Sequence, residues 1–159
     1  MIELKLLLLI IIANGAPVLA RNILKSHFET AFDFNRVFFD GRPVFGPTKT
    51  WRGVVTAIII TVPFAVLLGF TAELGLVLAA LAMAGDLLGS FIKRRLMLAP
   101  SSRALGLDQI PESLLPMFAC QVLLGLGWQS TVMVVFLFFV IELLLSRLLY
   151  QLHIRKHPY

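Results

Sequence analysis

The chain has 159 residues, of which 58% are hydrophobic and 14% charged, with a formal net charge of +5. Soluble domains average about 45–50% apolar and roughly 25% charged residues, so this balance excludes an ordinary water-soluble fold and specifies an integral membrane protein. The lone Cys120 excludes an internal disulfide and reads as a small core residue.

Five apolar segments follow in chain order: Leu4–Ala20, Val54–Phe70, Leu74–Ile92, Leu114–Trp128 and Val132–Leu149. Each is about 15–19 residues, near the roughly 20 that cross a hydrocarbon core, which predicts an all-α bundle of five short transmembrane helices. Tight connections at Gly69–Glu73 and Gly125–Thr131 make two helical hairpins after one leading helix. The first segment imitates a signal peptide, with Lys5, an apolar run and Val18-Leu19-Ala20. Cleavage after Ala20 would leave a basic loop on the outer side, and Asn14, Gly15 and Pro17 do not suit such a leader. A retained helix, kinked or broken at Asn14–Pro17, is expected, its freed backbone lining a polar cavity or contacting other protein.

Lys and Arg set the orientation. Arg21, Lys25, Arg36, Arg42, Lys49 and Arg52 lie in or beside the first long loop, Lys93, Arg94, Arg95 and Arg103 at the second, and Arg147, Arg155 and Lys156 near the carboxyl end. With an odd number of spans these fall on one side, which the positive-inside rule makes the cytoplasm, so the amino terminus is outside. The location expected is the cell (cytoplasmic) membrane, with two cytoplasmic loops.

The first of those loops contains FDFNRVFFDGRPVFGPTKTWRG, residues 32–53, too long and too charged for a mere connector. Asp40-Gly41-Arg42-Pro43 and Gly46-Pro47-Thr48-Lys49 are turn sequences that gather amides and cations, and a helix starting near Trp51 presents its amino end to phosphate. The spacing is not that of a Walker A loop. Phe32, Phe34, Phe38 and Phe39, interleaved with Asp33, Asn35 and Arg36, read as an amphipathic segment at the interface or core.

Asp86 lies inside the third apolar segment, where an ionisable group costs about 2.5–3.5 kcal/mol on insertion scales and requires a polar interior. On a helix Asp86, Ser90 and Lys93 form one stripe at i, i+4 and i+7, while Gly85 and Gly89 permit close helix packing. Before the fourth segment, Asp108 either caps the helix, with Pro111 and Glu112 in its first turn, or joins Asp86 as a ligand of a divalent ion. Mg²⁺ suits the second reading, since it takes a few carboxylates and completes its shell with water and phosphate oxygens. His27, His153 and His157 have no zinc-ligand spacing. Carboxylates beside cations point to a metal and a phosphate; nothing reads as a nucleic-acid interface.

FFDGRPVFGPTKTWRG, then GDLLGSFIKRR and LDQ, with ANGAPVL in the first segment, resembles the CDP-archaeol synthase family, related to the phosphatidate cytidylyltransferases. The likeness covers most of the chain. It implies a five-span, Mg²⁺-dependent, cytoplasm-facing cytidylyltransferase joining CTP to a lipid phosphate and releasing pyrophosphate. Carried over by motif, Lys49, Thr50 and Arg52 meet nucleotide phosphates. Asp86 and Asp108 are metal ligands and, with Lys93, catalytic, while Ser90, Arg94 and Arg42 complete the phosphate contacts. Where the family has a second acid after Asp108, this chain has Pro111, and Glu112, one step further, returns to the same helical face as a substitute ligand. Lipid chain identity is not legible, since isoprenoid and acyl chains offer the same hydrocarbon. A non-catalytic membrane protein binding nucleotide or lipid, or an assembly partner, is the alternative; a small transporter would need an internal repeat that is absent. Small-residue faces permit a homodimer.

Overall fold

The computed structural model describes residues 1–99, 102 and 104–151. Arg103, His153, Arg155, Lys156 and His157 fall outside the described residues. Within them the chain is all-α: α1 Ile2–Leu24, α2 Trp51–Leu67, α3 Ala72–Arg95, α4 Gln109–Leu124 and α5 Trp128–Gln151. Ile2–Leu24, Ala72–Arg95 and Trp128–Leu148 are long and apolar enough to cross a membrane, whereas Trp51–Leu67 is apolar but shorter. The expectation of five spans is corrected to five helices, three of them long enough to span. The physical reason is visible in α4, which has only 16 residues and carries Gln109, Glu112, Ser113 and Gln121.

The apolar core runs along the middle of the bundle through Leu6, Leu9 and Ile10 of α1, Leu78 of α3, Met117 of α4, and Val134 and Phe138 of α5. Small residues bring the helices together around it. Gly53 of α2 meets Pro17 of α1, and Gly75 of α3 meets Val62 and Ala65 of α2. A Cβ at Gly85 would fall onto the Pro111 carbonyl, and one at Gly89 would lie 2.5 Å from the Leu107 carbonyl oxygen. The small pair on α3 therefore packs directly against the backbone at the start of α4.

The first helix is not interrupted at Asn14–Pro17, contrary to one form of the expectation. It continues through Pro17 to Leu24. Asn14 Nδ2 donates to the Ile10 carbonyl at 3.0 Å, so this side chain uses a backbone acceptor of its own helix.

The first loop is folded rather than a surface strip. Isolated antiparallel bridges join Ala31 to Thr50 and Val37 to Pro43. Asp33, expected on an amphipathic surface, is buried, and its carboxylate accepts from the Asn35, Phe45 and Gly46 N–H groups at 3.0, 2.8 and 3.0 Å. Burial works to raise its pKa, but those backbone donors outweigh it and hold the group below the ordinary aspartate value. Phe32 packs on Trp51 and Phe45, whereas Phe39 is fully exposed. Arg95 pins the loop tip to the end of α3: it pairs with Asp40 at 2.9 Å and its guanidinium lies 4.8 Å from the Phe38 and Phe91 rings.

Candidate active site

A cavity of about 860 Å³ opens at the end of the bundle that carries the long loops, lined by residues of α1, the first loop, α2, α3, the start of α4 and α5. Its polar end is assembled by the close approach of α3 and α4. With Gly85 and Gly89 against the α4 backbone, Asp86 is carried close to Glu112, and both line the cavity. Two carboxylates brought this close repel each other unless a cation stands beside them.

Cations are placed beside both acidic positions. Lys49 Nζ lies 2.5 Å from Asp86 Oδ1, and Lys93 Nζ lies 2.6 Å from Asp108 Oδ1. Burial acts to lower the Lys49 pKa, but the charges of Asp86, Glu112 and Asp108 outweigh it and raise the pKa above the ordinary lysine value. The stripe Asp86, Ser90, Lys93 faces the cavity as its helical spacing requires, joined by Arg94. Arg94 is almost wholly buried, with Nη2 donating to the Ala99 carbonyl at 3.0 Å.

Three residues of the first loop and α2 have different places. The Thr50 hydroxyl accepts from the Gly53 N–H at 3.2 Å, capping α2, while Thr50 also lines the cavity. Arg52 lines the cavity too, but its Nη1 donates to the Lys25 and His27 carbonyls, and Glu29 lies 3.7 Å from Nη2. Its donors thus fasten the end of α1 to the start of α2. Arg42 is not among the lining residues; its Nη1 donates to the Arg95 carbonyl at 2.8 Å, satisfying the carboxyl end of α3.

The helix-cap reading of Asp108 fails. Asp108 sits at the N-cap position of α4 in an αR conformation with no side-chain cap bond, and its carboxylate pairs with Lys93 instead. Pro111 gives its carbonyl to the contact with Gly85, and Glu112 is the acid that turns to Asp86. Among the described residues no group of three or more acids, histidines or cysteines is gathered tightly enough to hold an ion. Asp86 and Glu112 are gathered as a pair, with Asp108 on the same cavity wall in the hold of Lys93. Mg²⁺ commonly takes one or two carboxylates and finishes its octahedron with water and substrate phosphate, so this donor set fits it.

Gln109, Glu142 and Ser146 also line the cavity and were not singled out from sequence. The signal for Glu142 was present: an acid in the fifth apolar segment, at a position that needs a polar partner.

Residues 3–159 match the family model described as CarS-like, CDP-archaeol synthase. The chain belongs to the CDP-archaeol synthase family. The CDP-archaeol synthase of Sulfurisphaera tokodaii is 31% identical over 155 residues, spanning 94% of this chain and 90% of that one. That of Pyrobaculum calidifontis is 33% identical over 157 residues, spanning 93% and 91%. A 38% identical match to the CDP-archaeol synthase of Pyrococcus furiosus is confined to 107 residues, 61% of this chain and 60% of that one. A solved structure of an intramembrane enzyme for archaeal membrane lipids biosynthesis is similar at a TM-score of 0.72 and 29% identity, covering 89% of this chain and 90% of that chain. The acidic and basic side chains of the cavity therefore belong to a CDP-archaeol synthase-like scaffold.

Proposed function

We propose that this protein transfers CMP from CTP to the phosphate of an ether-linked isoprenoid glycerol lipid, forming a CDP-activated lipid and releasing pyrophosphate. At family level the chain is a lipid cytidylyltransferase. The observation that carries it is the convergence of Asp86, Glu112 and Asp108 with Lys49, Lys93 and Arg94 in one cavity, which also meets apolar side chains such as Val18 and Leu19 of α1 and Leu143 and Leu145 of α5. A triphosphate and a lipid head need those two surfaces side by side.

The chemistry asks little covalent help of the protein. A lipid phosphate oxygen attacks the α-phosphorus of CTP, the new P–O bond forms as the bond to the β-phosphate oxygen breaks, and pyrophosphate leaves with that electron pair. The attacking phosphate is already ionised at neutral pH, so no general base is needed, and catalysis is placement plus neutralisation of charge. Asp86 and Glu112, with Asp108 nearby, would hold Mg²⁺, which when bound supplies positive charge to phosphate oxygens. Lys49 and Lys93, now paired with Asp86 and Asp108, exchange those partners for phosphate oxygens as the ligand enters. Arg94 and Ser90 complete the wall on the α3 side. The positive-inside distribution of Lys and Arg supports a cytoplasmic position for this end of the bundle, where CTP is available.

The test is pyrophosphate release by purified protein in vesicles containing a di-isoprenoid glycerol ether phosphate, with CTP and Mg²⁺. The expected result is stoichiometric pyrophosphate and CDP-lipid. Absence of release with ether, diacyl and polyprenyl phosphates alike would contradict the reading and favour a non-catalytic binding protein.

A further inference from the structure

Gln109 and Glu142 make a contact that the chemistry above does not use. Gln109 is buried at the first position of α4, beside Asp108 and one turn before Glu112 and Ser113. Its Nε2 donates to Glu142 Oε2 of α5 at 2.7 Å, and its Oε1 accepts from the Gly106 N–H at 2.9 Å. Ser113 Oγ donates to the Gln109 carbonyl at 2.7 Å, so the same residue is held through its backbone as well. Gly106 has φ +84°, a left-handed turn that an L side chain resists, and Gln109 fastens that turn to the helix it precedes.

The α3 contact at Gly85 and Gly89 fixes one side of the α4 start, and the Glu142 bond fixes the side facing α5. An acid placed within a long apolar helix at the cavity wall is costly to keep unless something uses it.

We infer that Glu142 is a positioning residue: through Gln109 it locks the first turn of α4, and so sets where Asp108 and Glu112 stand relative to Asp86. This rests on the cytidylyltransferase reading for its effect on activity, but not for its effect on ion binding. The role needs an acceptor at the 142 position, not a charge. Glutamine there keeps an oxygen for Gln109 Nε2, whereas leucine does not.

The experiment compares wild type with Glu142→Gln, Glu142→Leu, Gln109→Leu and the double leucine variant. Two readouts are taken, pyrophosphate release and Mn²⁺ binding by electron paramagnetic resonance in the presence of CTP. Removing a supporting partner behind metal-holding side chains typically costs roughly 10- to 100-fold in metal affinity or activity. Glu142→Leu should show that loss in kcat and in Mn²⁺ affinity with the KM for lipid phosphate unchanged, and Glu142→Gln should stay near wild type. The double variant should be no worse than Gln109→Leu alone, which already breaks the Glu142 bond together with the Gly106 one. Glu142→Gln as impaired as Glu142→Leu would overturn the proposal, since the charge itself would then be needed. So would Glu142→Leu with lowered thermal stability but unchanged Mn²⁺ affinity, the mark of a merely structural contact. Wild type that binds Mn²⁺ but releases no pyrophosphate would fail the functional reading, while the Mn²⁺ series would still decide the positioning role.

Discussion

At the end of the bundle bearing the amino terminus, helices meet through apolar and small side chains with light polar fastening. Lys5 Nζ donates to the Leu68 carbonyl at 2.8 Å, and Ser130 Oγ donates to Glu3 at 3.2 Å. At the opposite end the same helices carry Arg52, Ser90, Lys93, Arg94, Gln109 and Glu112 into buried positions. The first arrangement satisfies helix ends at the membrane surface; the second takes charges out of water, which only paired geometry makes tolerable. The loop-bearing end thus gives up packing simplicity for a preassembled ionic surface, which is what the proposed exchange of internal partners for a polyphosphate requires.

Substitutions at the two ends should therefore behave differently. The largest effect is expected for Lys49→Met, which removes the cation beside Asp86: CMP transfer should fall roughly 10²–10³-fold, the loss typical of one electrostatic group at a reacting centre. Size-exclusion and circular dichroism profiles should match wild type. Gly85→Ala comes next, because the added methyl has only backbone to displace; overpacking of this kind costs about 1–3 kcal/mol and should lower both thermal stability and activity. At the other end Gly127→Ala meets nothing within 4 Å and should change stability by less than about 0.5 kcal/mol.

Asp33→Ala should loosen the first loop, removing the acceptor of three N–H groups at a cost of about 1–3 kcal/mol for the groups left unpaired, read as faster proteolysis between residues 33 and 46. The pH dependence follows from the sign of the shift. A carboxylate whose folded pKa is depressed contributes stability above its unfolded value, about 3.9, and loses it as pH falls through the lower folded value. Wild-type loop protection should thus persist at about pH 5 and fade only below about pH 3.9, whereas the alanine variant should be insensitive over that range. Lys5→Leu should cost about 0.5–1.5 kcal/mol of stability with transfer unchanged, more than Gly127→Ala at the same end and less than the changes at the loop-bearing end.

Much of the site was legible because helical spacing is rigid. Asp86, Ser90 and Lys93 share a face at any register of α3, and KTWRG delivers Lys49 just before α2 begins. The helix bounds were less legible. Apolar runs mark membrane depth, but α1 and α3 continue past them, α3 through Lys93, Arg94 and Arg95, which reach Asp108, Ala99 and Asp40. Which of several cations reaches the cavity was not legible either: Arg42 and Lys49 lie seven residues apart in one loop, and only the fold of that loop around Asp33 separates them. The pairing of Gln109 with Glu142 was not legible because it is a contact between helices, made by residues 33 apart in the chain.

Asp86 is central to the site, since it follows Gly85 at the α3–α4 contact, approaches Glu112 and pairs with Lys49. The most direct measurement follows label from the α-phosphate of CTP into lipid, in wild type and in Asp86→Asn reconstituted in the same vesicles. Labelled CDP-lipid is expected from wild type and none from the folded asparagine variant; label transfer at the wild-type rate by Asp86→Asn would contradict the role of Asp86 in holding the ion and phosphates.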